Sequence, residues 1–199
     1  MEGGKQEAYE INVALFDALQ GTVNGPDKWQ LQRFVCAHAI MFSLEGIPGV
    51  YIHSLLGTQN DIERLALSNH NRDINRKKWD MEELSALLDN PASHHHKALD
   101  SLTNLLKIRG AQAAFHPNAV QFTLHLGSEV FAFWRQSIDR SQSIFCIHNV
   151  SDKAITIPIN SINLITLQTW IDLVSDSHLS EDQEEIILQP YQFVWLSNK

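Results

Sequence analysis

The sequence has little of what marks a membrane-spanning or exported protein. None of its apolar runs approaches about 18 uninterrupted residues, the length at which a helix crosses a bilayer. The opening stretch MEGGKQEAYEIN has no apolar core and no basic start, so we expect no signal peptide. The two cysteines, Cys36 and Cys146, form no metal-ligand or redox motif. Because each lies among apolar residues, we expect both to be core side chains of a cytoplasmic protein.

Positive charge is also scarce. The chain carries 15 Lys and Arg against 23 Asp and Glu, a formal net charge of -8. This balance argues against nucleic acid or an anionic membrane as the main partner. With 199 residues, 44% of them hydrophobic and 19% charged, the chain is long enough to bury a core as one large domain or two small ones.

The first half is rich in helix patterns and contains one strand pattern. Residues 28–46 (KWQLQRFVCAHAIMFSLEG) leave only a narrow polar stripe, which predicts a mostly buried helix. The Ile47-Pro48-Gly49 turn then leads into VYIHSLLG, which is uncharged and rich in β-branched and aromatic residues. That composition predicts a strand buried on both faces, as in parallel sheets covered by helices.

Further helices are predicted before Gly110. NDIERLALS (60–68) favours a short helix, and DMEELSALLDN (80–90) favours another, with Asp80 as its N-cap and Glu83 completing a capping box. A longer helix is expected from Pro91, a permitted first-turn residue, to Ile108.

Beyond Gly110 the apolar period changes to two. The segments are AVQFTLHLG, VFAFWRQS, QSIFCIHNVS, AITIPI and IILQPYQFVWL, separated by turn residues. They predict antiparallel strands and no further helix. The first half therefore holds a lone parallel-type strand, and such a strand needs neighbours that this half does not offer.

The order of these pieces resembles the C-terminal end of one enzyme family. The matching stretches are YEIN near Tyr9, FDAL near Phe16, GIPGVYIHSLLGTQND from Gly46, NRDINRKK from Asn71, and PYQFVWL near the C-terminus. They resemble the sucrose-phosphorylase-like branch of the α-amylase superfamily, which includes glucosylglycerate and sucrose-6-phosphate phosphorylases. RDINR following GIPGVY at this spacing is the most specific feature.

The resemblance implies an α+β chain: a C-terminal remnant of a (β/α)8 barrel, followed by an antiparallel β-sandwich called domain C. Residues 1–110 would hold a loop, helix seven, strand eight and helix eight of the barrel, and residues 111–199 the sandwich. Strand eight would run from Val50 to His53. Its C-terminal end would open onto the barrel face where such enzymes place their active sites.

The family transfers an α-glucosyl unit between a small acceptor and phosphate by a retaining double displacement, with phosphate as co-substrate and without a cofactor. This chemistry uses an aspartate nucleophile and a glutamate acid about 5 Å apart, with a third aspartate. All three lie upstream of the aligned region, so we expect no catalytic residue here and no activity from the isolated chain. An upstream segment or an N-terminal barrel polypeptide would supply them. The alternative is an inactive truncated remnant that self-associates or serves as an interaction module.

The resemblance also implies substrate-binding residues. Arg72 matches an arginine that holds the far end of the glucosyl unit, a role suited to the planar donor fork of a guanidinium. Tyr9 and Glu10 match a mobile loop that shapes the acceptor subsite. Typical sucrose phosphorylases have glutamine where Glu10 stands. We therefore expect an acceptor other than sucrose, such as glycerate.

Supporting roles are expected for Asp73, Asn75 and Arg76, which belong to the same motif as Arg72. The competing interpretation is a loop cluster in which Asp73 and Arg76 only tie the chain to neighbouring helices. His53 would lie at the top of strand eight, either at the pocket rim or as a buried structural histidine.

Two further patterns have ordinary explanations. The run His94–His96 suggests metal binding, but consecutive helical residues diverge by about 100°, so we expect a surface run at a helix start and no metal site. Phe131, Phe133, Trp134 and Trp195 suggest a sugar-stacking platform, but we expect them to be sandwich core.

Overall fold

The computed structural model describes residues 10–162, 169–180 and 182–199. The α-helices are α1 (Leu15–Ala18), α2 (Gln30–Ser43), α3 (Ile52–Leu55), α4 (Ile62–Ser68), α5 (Met81–Asp89) and α6 (His94–Gly110). Single 3-10 turns lie at Asn71–Asn75, Ala113–Phe115 and Ile159–Ile162.

The strands are β1 (Gly21–Thr22), β2 (Gly25–Pro26), β3 (Val120–Leu124), β4 (Val130–Gln136), β5 (Ser143–Asn149), β6 (Ile155–Pro158), β7 (Ile171–Asp172), β8 (Ser177–His178), β9 (Glu185–Leu188) and β10 (Phe193–Ser197). A six-stranded sheet has the order β3-β4-β5-β10-β7-β8, and every neighbouring pair is antiparallel. β6 and β9 form a separate antiparallel pair, and β1 and β2 form a small hairpin.

Alternation along the strands gives the large sheet two apolar faces. Phe133, Cys146 and Trp195 point to one face and pack with Phe34 of α2 and Leu102 of α6. The helical and the stranded parts of the chain therefore share one hydrophobic core.

The opposite face of the large sheet packs on the small sheet. Phe145, Ile147 and Leu196 form a second cluster with Ile157 of β6 and Leu188 of β9. The two sheets thus enclose a core of their own, as predicted for a β-sandwich.

Local sequence signals set most helix ends correctly. Asp80 caps α5 by accepting hydrogen bonds from the backbone N–H groups of Glu82 and Glu83. The expected start of the long helix at Pro91 was wrong by three residues, because the Ser93 side chain accepts from His95 N–H and acts as the N-cap. No α-helix follows Gly110 in the described residues, as predicted.

The predicted strand from Val50 to His53 is not formed. The chain runs extended through Tyr51 and then turns into α3. No neighbouring strand pairs with it among the described residues, and an unpaired strand leaves its backbone groups without hydrogen bonds. The side chains are also not buried on both faces, since Ile47, Tyr51 and Ile52 are 85%, 51% and 54% exposed.

Two buried arginines fasten the helices to the sheet region. Arg135 of β4 donates to the carbonyl oxygen of Ser43 at the end of α2, at 2.8 Å, and to that of His116 at 3.0 Å. Arg109 of α6 donates to the carbonyl oxygens of Gly46 and Phe115. These bonds satisfy carbonyl groups at helix and loop ends. The division of the chain at Gly110 into two domains stays a prediction.

The structure also tests the predictions for the cysteines and the aromatic residues. Cys36 and Cys146 are both buried and unpaired, as expected, and burial raises the pKa of the Cys36 thiol to about 12. Phe133 and Trp195 are core residues, but Phe131 is exposed, so the core prediction was wrong for that ring. Across the described ranges, no helix has the length and apolarity needed to span a membrane.

Candidate functional site

The RDINR motif forms one wall of an open surface depression of about 460 Å³. The residues that line it are Glu10, Ile11, Asn12, Tyr51, Arg72, Asn75 and Arg76. Five of these seven residues have charged or amide side chains, and the other two are Ile11 and Tyr51. The structure therefore brings together four predicted site residues that are up to 66 positions apart in sequence.

The central contact is a two-point ion pair across the depression. Arg72 donates from Nε to Glu10 Oε1 at 2.8 Å and from Nη2 to Glu10 Oε2 at 3.1 Å. The hydrogen bond from Arg72 lowers the pKa of Glu10, and Asn12 and the charge of Arg76 lower it further. Glu10 is therefore ionised at neutral pH, and its two oxygens face the same guanidinium edge.

Local structure fixes the position of the motif. Residues Asn71–Asn75 form a 3-10 turn shortly after α4, whose C-cap residue, Asn69, has a left-handed conformation (φ 52°). The backbone N–H of Asp61, the N-cap of α4, donates to the carbonyl oxygen of Ile74 at 2.7 Å. The turn therefore lies against the start of the same helix that it follows.

The segment that carries Glu10 is docked onto this turn. Asn75 Nδ2 donates to the carbonyl oxygen of Val13 at 3.4 Å, and Ala14 N–H donates to Asn60 Oδ1 at 2.7 Å. The Glu10–Arg72 pair adds a third link. Tyr9, the other predicted residue of this loop, lies outside the described residues.

Asp73 does not line the depression. A hydrogen bond from the Ser68 side chain lowers the pKa of Asp73, and the charge of Arg64, whose Nε lies 3.4 Å from Oδ2, lowers it further. Asp73 thus ties the turn to α4, which is the competing structural role considered from the sequence.

Tyr51 and His53 line a second, smaller cavity of about 110 Å³, which shares Tyr51 and Asn75 with the depression. The Tyr51 hydroxyl donates to the carbonyl oxygen of Asn75 at 3.4 Å. His53 Nδ1 lies 3.3 Å from Thr58 Oγ1, and burial lowers the pKa of His53. His53 therefore lies beside the depression but does not line it.

The histidine run is not a surface feature, so that expectation was wrong. His94 Nε2 lies 3.2 Å from the carbonyl oxygen of Gly57, and His95 Nδ1 lies 2.6 Å from that of Leu56. His96 Nδ1 lies 2.6 Å from the carbonyl oxygen of Leu88. Side chains one residue apart diverge around a helix, but α6 here meets both the end of α3 and the last turn of α5, so all three rings find backbone carbonyl groups.

Gly57 makes the close approach between α3 and α6 possible. It has φ +59°, and a Cβ at this position would lie 3.0 Å from the Cβ of Ala98. A side chain there would be strained at this φ and would crowd Ala98, so the position favours glycine. Within the described ranges, no three His, Cys, Asp or Glu side chains converge as metal ligands.

Sequence reasoning missed Tyr51 and Asn12 as lining residues. Tyr51 was assigned to a strand buried on both faces, and it is exposed because that stretch has no strand partner among the described residues. Asn12 lies two residues after Glu10 in the stretch YEIN, and this closeness in sequence was the signal that could have suggested it.

The depression can bind but lacks the groups for glycosyl transfer. Among the described lining residues, Glu10 is the one carboxylate, and Arg72 engages both of its oxygens. A retaining mechanism needs two carboxylates about 5 Å apart. The donors of Arg72, Arg76 and Asn75 suit hydroxyl and anionic oxygens.

Comparison with curated proteins decides the relationship. The chain is 36% identical over 189 residues to glucosylglycerate phosphorylase of Allomeiothermus silvanus, covering 94% of this chain and 31% of that protein. It is 33% identical over 194 residues to the enzyme of the same name in Escherichia coli (97% and 33%). The chain is a homologue of the C-terminal portion of these phosphorylases.

The relationship extends to sucrose phosphorylases at lower identity. The protein of Bifidobacterium adolescentis is 27% identical over 176 residues, covering 88% of this chain and 31% of that protein. The chain thus spans about a third of the length of the curated relatives it matches. No protein-family model matches the sequence.

Solved structures support the fold. AmyP in complex with maltose superposes with a TM-score of 0.73 at 13% identity, covering 94% of this chain and 39% of AmyP. Trehalose-6-phosphate hydrolase of Bacillus licheniformis gives a TM-score of 0.62 at 16% identity, covering 85% and 39%. The predicted fold class is confirmed at this level.

Proposed function

We propose that this chain is the C-terminal portion of a glucosyl phosphorylase that transfers an α-glucosyl unit between a small acceptor and phosphate. The observation that carries the proposal is the similarity to two glucosylglycerate phosphorylases over 94% and 97% of the chain. Phosphate is the co-substrate, no cofactor takes part, and the protein works in the cytoplasm.

In this proposal Arg72 binds the glucosyl unit. Glu10 occupies the edge formed by Nε and Nη2, while Nη1 has no hydrogen-bond partner among the described residues. An arginine whose charge is already matched by a carboxylate can donate to neutral sugar hydroxyls without leaving an unpaired charge. Glu10 therefore orients Arg72, and Tyr9 and Glu10 shape the acceptor subsite beside it.

The acceptor that fits best is glycerate. Three relatives at 30% to 36% identity are named glucosylglycerate phosphorylases, whereas those named sucrose phosphorylases are 27% to 31% identical. A glutamate at position 10, where a neutral amide is typical of sucrose phosphorylases, supports an acceptor other than sucrose.

The nucleophile and the acid come from a polypeptide that carries the rest of a barrel. The exposed apolar side chains of Ile47, Tyr51 and Ile52 support this proposal, since they border an extended stretch without a strand partner in the described residues. Strands of a partner barrel would cover them and pair with the backbone of residues 48–51. In that assembly, residues 1–110 are barrel and residues 111–199 are the sandwich.

The test has two arms. Coding sequence adjacent to Met1 is read for a segment with the aspartate nucleophile and glutamate acid, and glucose 1-phosphate release is then measured on the assembled protein. We expect release from glucosylglycerate to exceed release from sucrose. Arg72→Gln should lower kcat/KM about tenfold to a hundredfold, and Arg140→Gln, on an exposed turn, should leave it unchanged.

Two results would count against the proposal. If no coding segment carries the nucleophile and the acid, the proposal that this chain is part of a phosphorylase fails. Turnover by the isolated chain would contradict the placement of the catalytic carboxylates in another segment.

The same exposed flank favours one alternative, an inactive remnant that self-associates through it. A stable dimer in analytical ultracentrifugation, together with no partner coding segment, would support the remnant over the phosphorylase.

A further inference from the structure

Arg76 is a cation that the ion pairs of the depression leave free. Glu10 is bonded at both oxygens to Arg72, so the charges of that pair cancel within the depression. Asp73, which does not line the depression, is engaged by Ser68 and Arg64. Arg76 lines the depression and forms no ion pair within the part of the chain that the structure describes.

The electrostatic field of Arg76 reaches both neighbouring acids. Its charge contributes to lowering the pKa of Glu10 and of Asp73, after the larger effects of Arg72 on the first and Ser68 on the second. Because Glu10 is paired with Arg72 and Asp73 with Arg64, the charge of Arg76 is not balanced by either acid.

Three neutral polar residues line the depression together with Arg76. Asn12 hydrogen-bonds to Glu10, and Tyr51 and Asn75 line the same depression. Such groups can donate to a second oxygen of a small anion without competing for its charge.

We propose that Arg76 binds the anionic oxygens of the small substrate in this depression, the carboxylate of an acceptor such as glycerate or the incoming phosphate. This inference rests on the proposed function and deepens it. Arg72 is charge-matched and serves neutral hydroxyls, whereas Arg76 is unmatched and selects an anion. A guanidinium suits both anions because its fork can bond to two oxygens of a carboxylate or a phosphate.

The experiment titrates the full chain with three probes at constant ionic strength. D-glycerate and inorganic phosphate are the anionic probes, and glycerol is the neutral analogue of glycerate. Binding is followed by the NMR resonances of the arginine side chains and of the Tyr51 ring. We expect saturable shifts at Arg76 with one or both anions and none with glycerol. The anion that saturates the shift at the lower concentration is the one that the site binds more tightly, and it distinguishes an acceptor site from a phosphate site.

Three variants separate charge from fold. Arg76→Gln should weaken anion binding about tenfold, whereas Arg140→Gln removes the same charge elsewhere and should leave binding unchanged. Glu10→Gln removes the negative charge from the depression and should strengthen anion binding about threefold. Each variant is checked for an unchanged amide spectrum outside the depression.

The inference is overturned if Arg76 resonances do not shift with either anion up to about 100 mM, or if Arg76→Gln binds as tightly as the parent. In the assembled enzyme, an unchanged KM for phosphate and glycerate in Arg76→Gln would reject this role while leaving the phosphorylase proposal intact. Conversely, if Arg76 binds an anion but no coding segment supplies the catalytic carboxylates, the phosphorylase proposal is rejected and the anion site at Arg76 is supported.

Discussion

The six-stranded sheet and the segment Gly46–Gly57 were both predicted from apolar, β-branched sequence, yet one forms strands and the other does not. In the sheet, β5 pairs with β4 on one side and β10 on the other. Residues 46–57 find no strand partner in the described chain and leave Ile47 and Ile52 largely exposed. A strand-like sequence therefore forms a strand only where a neighbouring strand is present to share its backbone hydrogen bonds.

The largest expected effect tests whether the helical and stranded parts unfold as one unit. Leu102 is fully buried in the core that both parts share, so Leu102→Ala should lower the free energy of unfolding by about 2 to 5 kcal/mol. Urea denaturation with hydrogen exchange should show α2 and β5 losing protection together. Leu67→Ala, the same change at an 89% exposed site, is the control and should cost less than about 0.5 kcal/mol.

Separate midpoints for α2 and β5 in Leu102→Ala would mean that the two parts are independent domains. That result would support the division at Gly110 and contradict the shared core as the basis of stability.

A second prediction concerns pH and the sheet region. Burial among aromatic rings lowers the pKa of His148 from 6.5 to about 4. The folded state thus binds fewer protons than the unfolded state between these pH values. The stability that His148 contributes is complete above pH 6.5 and is lost as the pH falls to about 4, by up to about 3 kcal/mol.

Denaturation midpoints measured from pH 7 to pH 4 check this prediction. His148→Gln should flatten the acid dependence, because the residue that titrates is removed, and the exposed His125→Gln should not. An equal acid dependence in parent and His148→Gln would assign the loss to other groups, such as His38 of α2, whose pKa burial also lowers.

The smallest expected effect on stability is at the unpaired segment itself. Ile52→Ser should change the free energy of unfolding by less than about 0.5 kcal/mol, because its side chain is more than half exposed. Ile147→Ser, at a fully buried position of β5, is the matched comparison and should cost more than about 3 kcal/mol.

Ile52→Ser should nevertheless reduce association, either with a barrel polypeptide or with a second copy of the chain, in sedimentation measurements. Unchanged association would remove the exposed flank as a docking surface.

Much of the fold could be predicted because its signals are local. The Asp80 cap, the buried stripe of α2 and the alternation of β4 and β5 depend on residues close in sequence. The last predicted strand, IILQPYQFVWL, is two strands in the structure, because the chain turns at Tyr191 (φ 57°) between β9 and β10. The two-residue strands β7 and β8 were missed, since so short a stretch carries no readable period.

The candidate site was predicted in part. The motif pointed to Arg72, Asn75 and Arg76, and the structure brings them together with Glu10. It assigns Asp73 a contact with Arg64 and leaves His53 in the adjoining cavity. Which face of a five-residue turn meets the depression depends on how α4 and residues 10–13 dock, and no local pattern reports this.

By itself, the sequence determined the helices, the antiparallel strands and the motif that relates this chain to the phosphorylases, because these depend on short-range periodicity and residue identity. Only the tertiary structure decided that Val50–His53 has no strand partner among the described residues, that His94–His96 contact the carbonyl groups of Leu56, Gly57 and Leu88, and that Glu10 pairs with Arg72 and not with Arg76. Each of these depends on contacts between residues far apart in sequence, where packing and charge pairing, and not local preference, set the outcome.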